Sequence, residues 1–141
     1  RRVDGLMNHG EQVSFPGGGW EPGDEDLTAT ALREAWEEVG IHPQDVQVLG
    51  AMQPNGLITG FVVTPVVGKI PWPYPIQVFD GEVARFFTVP LRWLADPSNY
   101  YYSTITYEGK PYEVSYYKLY DGEKIWGATA KITQDFIGLL T

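Results

Sequence analysis

The sequence predicts an α/β fold in one domain over residues 1–141, a sandwich with helices on both faces of a mixed β-sheet. Three observations predict it. β-rich runs recur after an amphipathic helix from about Glu25 to Val39, helical periodicity returns from about Gly127 to Leu140, and turn dipeptides separate the segments. With 43% hydrophobic and 14% aromatic content, 141 residues can bury a sizeable core.

The first element in chain order is a short strand, Gln12 to Phe15, ending at a Pro16-Gly17-Gly18 turn. Glycines at 17, 18 and 19 let the backbone approach a ligand closely and leave a carbonyl able to face a metal. Pro22-Gly23 is a turn dipeptide, Asp24 is the expected N-cap, and Glu25 and Asp26 place negative charge in the first turn, where the helix dipole favours it. Gly40 supplies the C-terminal stop and Pro43 forbids continuation; His42 reads as a turn residue.

On that helix, Thr28, Ala31, Leu32, Ala35 and Val39 fall in one arc, the expected core stripe. Glu34, Glu37 and Glu38 fall in a separate arc beside it. Like charges at these spacings repel, and Arg33, four residues before Glu37, orients only that one carboxylate. Glu34 and Glu38 are left for something else, and hard oxygens one turn apart suit Mg²⁺ or Mn²⁺. The bland alternative is a solvated acidic face.

Beyond the helix, Val46 to Met52 reads as a strand, Gln53 to Gly60 as a loop, and Gly60 to Gly68 as a β-rich run that Pro65 interrupts. Residues 71 to 79 hold three prolines and the rings of Trp72, Tyr74 and Phe79, and Trp72 or Tyr74 is a candidate to stack on adenine, with packing the commoner use of such rings. Glu82 to Leu91 reads as a strand running into a short helix, Leu91 to Ala95. Tyr100 to Tyr107 and Tyr112 to Tyr120 form a hairpin around Glu108-Gly109. In the last helix Ala128, Ile132, Phe136 and Leu139 share helical spacing and face the core.

Zero cysteines exclude disulfides and thiolate chemistry and accord with a cytoplasmic setting. No apolar stretch approaches the roughly 20 residues that span a bilayer. A net charge of −8 argues against nucleic acid or an anionic membrane as partner. A homodimer is a compatible assembly.

The spacing of Gly19, Glu25, Arg33, Glu34, Glu37, Glu38 and Gly40, with Ala35 and Ile41 in the apolar slots, resembles the Nudix box at all seven fixed positions. At about one in fifteen per position, chance gives such a match at a given start about once in 10⁸, which outweighs the solvated face. Arg2, Leu6, His9, Gln12, Val13, Phe15, Pro16, Gly17 and Gly18 further resemble, in register, the second signature of the coenzyme A pyrophosphatase branch. Val3, Met7 and Glu11 depart from it, Met7 where an arginine would meet substrate phosphate. Gly60-Phe61-Val62-Val63-Thr64-Pro65 and Ile125-Trp126-Gly127-Ala128-Thr129-Ala130 extend the likeness. Family members normally carry strands before the box, so this chain is expected to belong to a longer polypeptide.

The resemblance implies a metal-dependent hydrolase that cleaves the diphosphate of coenzyme A or its thioesters to 3′,5′-ADP and a 4′-phosphopantetheine product. Glu34, Glu37 and Glu38, with a carbonyl near Gly18 or Gly19, would hold Mg²⁺ or Mn²⁺. Glu34 or Glu82 would take the proton of the attacking water, and Arg33 and Glu25 would hold carboxylates and loop in place. His9, Phe15, Gly17 and Gly18 would border the substrate. Two other expectations stand beside this one: a Nudix enzyme acting on ADP-ribose, NADH or another nucleoside diphosphate derivative, kept open by Met7 and Glu11, and a non-catalytic nucleotide-binding module, against which the three intact acids count.

Overall fold

The computed structural model describes residues 12–79 and 83–141. His9 and Glu82, with the remainder of residues 1–11 and 80–82, lie outside them. The helices and strands are those of an α/β chain, in two compact units: Phe15–Phe86 in one, and Gln12–Ser14 with Phe87–Thr141 in the other. Among the described residues no helix is long and apolar enough to cross a membrane.

The first unit carries helix α1, Leu27–Val39, and strands β1, Gln47–Ala51, β2, Asn55–Gly56, β3, Val62–Val63, and β4, Val66–Lys69. The helix begins two residues later than its sequence suggests, because Asp26 rather than Asp24 is the cap: its Oδ1 accepts from the Ala29 N–H at 2.8 Å. Gly40 ends it as expected, in the left-handed region at φ 72°, and its N–H reaches the Ala35 and Trp36 carbonyls. A side chain at Gly40 would also meet Gln77, whose N–H donates to the Val39 carbonyl at 3.0 Å.

The core stripe of α1 is only partly as expected. Val39 is buried, but Thr28, Ala31, Leu32 and Ala35 are half-buried, and the other buried positions are Thr30 and Glu38. Thr30 is tolerated there because its hydroxyl donates to the Asp24 carboxylate at 2.8 Å. Strands β1 and β4 pair antiparallel with an irregularity between Val48 and Gly50, and β2 pairs antiparallel with β3. Pro65 separates β3 from β4 as its missing N–H requires, while its carbonyl still accepts from the Met52 N–H at 2.8 Å. The proline-rich segment is pinned to the exit of α1. The Tyr74 hydroxyl donates to Asp45 at 2.6 Å and accepts from the His42 N–H at 3.1 Å, which holds the half-buried ring at the exit of α1, and its phenol is held above the ordinary pKa by the Asp45 carboxylate.

The second unit holds α2, Leu91–Ala95, β5, Tyr100–Tyr107, β6, Lys110–Tyr117, and α3, Gly127–Leu140. β5 and β6 pair antiparallel in unbroken register from Tyr100↔Tyr117 to Tyr107↔Lys110, across a two-residue turn with Glu108 and Gly109 at φ 50° and 77°. Tyr117, 1% exposed, centres a core with Leu94, Ile125 and Ala130, and its hydroxyl donates to the Leu94 carbonyl at 2.9 Å. Burial pushes that phenol up to about 12.

Three expectations for this part of the chain are corrected. Gln12 to Phe15 forms no strand: Val13 packs on the Tyr117 core, and its carbonyl accepts from the Thr129 hydroxyl at 2.9 Å. Residues 85–90 run as irregular chain, since Phe87 and Val89 bury one side against the same core without a ladder. Of the expected stripe on α3, Ile132 is buried and Phe136 half-buried, but Ala128 and Leu139 are exposed, and Ala130 and Thr133 complete the buried face; the Thr133 hydroxyl satisfies itself on the Thr129 carbonyl at 2.7 Å, which lets it bury.

Candidate active site

The glycine run, the turn that follows it and one face of α1 meet at a single guanidinium. Pro22-Gly23 turns the chain so that the Asp24 N–H donates to the Glu21 carbonyl at 2.8 Å and the Asp24 carboxylate accepts from the Glu21 N–H at 3.0 Å. That carboxylate, freed from capping, receives Arg33 in fork geometry: Nε to Oδ1 at 3.0 Å and Nη2 to Oδ2 at 3.1 Å. The Arg33 hydrogen bond and the Glu21 N–H together hold the Asp24 carboxyl down at about 2, and Asp24 in turn raises the Arg33 pKa above its ordinary value.

Arg33 does more than orient Glu37. Its Nη1 donates to Glu34 Oε1 and to Glu37 Oε2, each at 3.1 Å, and its Nη2 donates to the Gly19 carbonyl at 3.0 Å. One planar group therefore ties two acids of the patch to the backbone of the glycine run, a set of contacts that lysine, with a single ammonium, cannot reproduce. The three acids differ in surroundings: the Glu34 side chain is 15% exposed and that of Glu37 52%, while Glu38, one turn beyond Glu34, is buried.

Gly18 explains how the Glu34 carboxylate reaches the loop. A Cβ at position 18 would lie 2.5 Å from Glu34 Oε1 and 2.7 Å from its Cδ, closer than atoms can approach. The conflict is with the flexible end of a side chain, so Gly18→Ala is expected to leave Tm nearly unchanged while displacing that carboxylate and cutting turnover at least about tenfold. Thermal melting beside steady-state kinetics checks this, and wild-type rates would show that the contact is incidental.

The other expected positions are less gathered. Phe15 is 54% exposed, Gly17 and Glu25 are exposed, and Trp72 is exposed with its ring 6.4 Å from Phe86. Sequence reasoning missed Asp24 as the main partner of Arg33; the available signal was Asp26, an equally good cap two residues on.

The donor set suits a hard divalent cation. Carboxylates of Glu34, Glu37 and Glu38 and the Gly19 carbonyl all offer oxygen atoms, the donors such a cation takes, and the missing Cβ at Gly18 leaves room for Glu34 beside the loop. Among the described residues no group of three or more His, Cys, Asp or Glu side chains is already drawn together as a metal cluster; Glu34 and Glu37 are drawn to Arg33 instead.

Comparison with known proteins places the chain in a family. The profile of the NUDIX domain family matches residues 1–104. The chain is 43% identical over 132 residues to "Uncharacterized Nudix hydrolase NudL" of Photorhabdus laumondii subsp. laumondii, covering 94% of this chain and 70% of that relative. It is 44% identical over 132 residues to proteins of the same description from Yersinia pestis and Yersinia pseudotuberculosis, covering 66% of each. The chain thus spans about two thirds of the length of these relatives. It belongs to the Nudix hydrolase family, whose members act on phosphoric anhydride bonds of small-molecule diphosphates, generally with Mg²⁺ or Mn²⁺.

Proposed function

We propose that this chain hydrolyses the diphosphate of coenzyme A or an acyl-coenzyme A, releasing 3′,5′-ADP and 4′-phosphopantetheine or its acyl form. The observation that carries the reading is the acid patch on α1 tied to the glycine run through Arg33. A pure binding module for an anion has no use for three acids on neighbouring turns of one helix, since without cations they repel the ligand.

In this reading Glu34 and Glu38, with Glu37 and the Gly19 carbonyl beside them, hold Mg²⁺ or Mn²⁺. When bound, the cation neutralises diphosphate oxygens and acidifies water. Arg33 acts as a positioning residue, fixing Glu34 and Glu37 relative to the loop. Water attacks one phosphorus, the bridging P–O bond breaks, and Glu34 or Glu82 accepts the water's proton. His9, Phe15, Gly17 and Gly18 border the substrate. The cytoplasm, where coenzyme A is abundant and disulfides are rare, is the setting proposed.

The coenzyme A assignment rests on the match from Arg2 to Gly18, and Met7 and Glu11 favour the second reading, in which ADP-ribose, NADH or a related nucleoside diphosphate is cleaved. Product formation with Mg²⁺ across coenzyme A, acetyl-coenzyme A, ADP-ribose and NADH separates these. Preferential release of 3′,5′-ADP supports the first; no turnover on any member sinks both.

A further inference from the structure

Trp20 has no part in the account so far, and its setting is unusual for a tryptophan. Its indole N–H donates to the Asp24 carbonyl at 2.9 Å, so its one polar atom is satisfied within its own turn, yet 56% of the residue is exposed. A ring with no polar need for water is ordinarily covered by other apolar groups. Here it is held in the open by a loop that is itself fixed. On one side the adjoining Gly19 carbonyl accepts from Arg33 Nη2 at 3.0 Å; on the other the Asp24 carboxylate receives the Arg33 fork. The guanidinium that anchors this loop is the same one that holds Glu34 and Glu37. An exposed, pre-oriented aromatic surface therefore stands one peptide away from the backbone atom tied to the acid patch.

We infer that Trp20 is the stacking platform for the nucleobase of the substrate. The inference rests on the reading that the acid patch handles a nucleoside diphosphate, and it adds where the base goes and why a base is preferred. In such a substrate a single ribose separates the base from the diphosphate, so a ring whose backbone adjoins the Gly19 carbonyl tied to the patch can take one end while the patch takes the other. Every base presents a π-face, so a tryptophan surface selects for aromatic character rather than for a particular base. The Nε1–H bond to Asp24 keeps the ring from turning with the ligand and lowers the entropy lost on binding. If Trp20 instead only staples the 20–24 turn, its removal disturbs every substrate alike.

The test compares Trp20→Ala and Trp20→Phe with the wild-type chain, in Mg²⁺, on coenzyme A and on an analogue in which hydrogen replaces adenine. Trp20→Ala is expected to raise KM for coenzyme A roughly ten- to hundredfold more than KM for the base-free analogue, the scale of losing one base–aromatic stack. Trp20→Phe, which keeps a ring but not the hydrogen bond, is expected to recover most of the difference. An equal rise for both substrates, or Phe no better than Ala, overturns the inference while leaving the activity intact. If the wild-type chain turns over neither compound, the activity reading falls and calorimetry decides Trp20 separately: ADP binding more tightly than ribose 5-diphosphate only when Trp20 is present supports the platform, and equal affinities overturn it.

Discussion

Glu38→Gln is expected to leave the fold intact and to cut turnover at least about a hundredfold, the scale on which a single strong electrostatic contact acts in a transition state. The amide keeps the size and shape of the side chain and removes only its charge. Glu38 is 8% exposed, so water does little to dilute that charge, and the cation proposed beside it would feel the loss at close range. Glu34, one turn earlier, cannot replace it, because Arg33 already engages one of its oxygens. Circular-dichroism melting alongside kcat and the Mg²⁺ dependence of the rate makes the measurement; wild-type turnover from a folded variant would remove Glu38 from the chemistry.

Arg33→Lys is the second large effect expected. The guanidinium makes contacts in five directions at once, to both Asp24 oxygens, Glu34, Glu37 and the Gly19 carbonyl, and an ammonium can keep only some of them. Turnover is expected to fall about ten- to a hundredfold, as when residues that orient metal ligands are lost, with the glycine run loosened from α1. The same pair sets an acid limit on stability. The Asp24 carboxyl titrates at about 2 in the folded chain against an ordinary value of 3.8, chiefly because Arg33 donates to it. A lowered folded pKa contributes stability that is fully present above 3.8 and lost as pH falls through about 2. Wild-type Tm is therefore expected to drop between pH 4 and pH 2, and Asp24→Asn to remove that part of the drop while lowering Tm at neutral pH. A variant whose acid profile parallels the wild type would show that the Asp24–Arg33 fork does not supply it.

The placement of the charged residues of the candidate site was legible from spacing. Arg33, Glu34, Glu37 and Glu38 share a helix whose period is fixed by backbone geometry, so their common side follows from their numbers. The Gly40 stop and the Glu108-Gly109 turn were legible for a similar reason: only certain residues tolerate positive φ, and there the local sequence leaves few alternatives. Less legible was anything that two local solutions satisfy equally. Asp24 and Asp26 are both competent caps, and the choice fell to Asp26 because Arg33 and Thr30 claim Asp24 from outside the turn. The alternation through Phe87 and Val89 suits a strand, but those residues bury one side without a ladder.

What the sequence determined by itself, then, is the α/β class and the acid-bearing helix, because periodicity and turn chemistry are properties of neighbours along the chain, while the family followed from the likeness of its motif. What only the tertiary structure decided is which carboxylate caps and which pairs, that the Glu34 carboxylate lies against Gly18, that α3 buries Ala130 and Thr133, and that Trp20 stays uncovered. Each of these depends on atoms distant in sequence arriving within hydrogen-bonding or van der Waals range, and no local pattern encodes who arrives first.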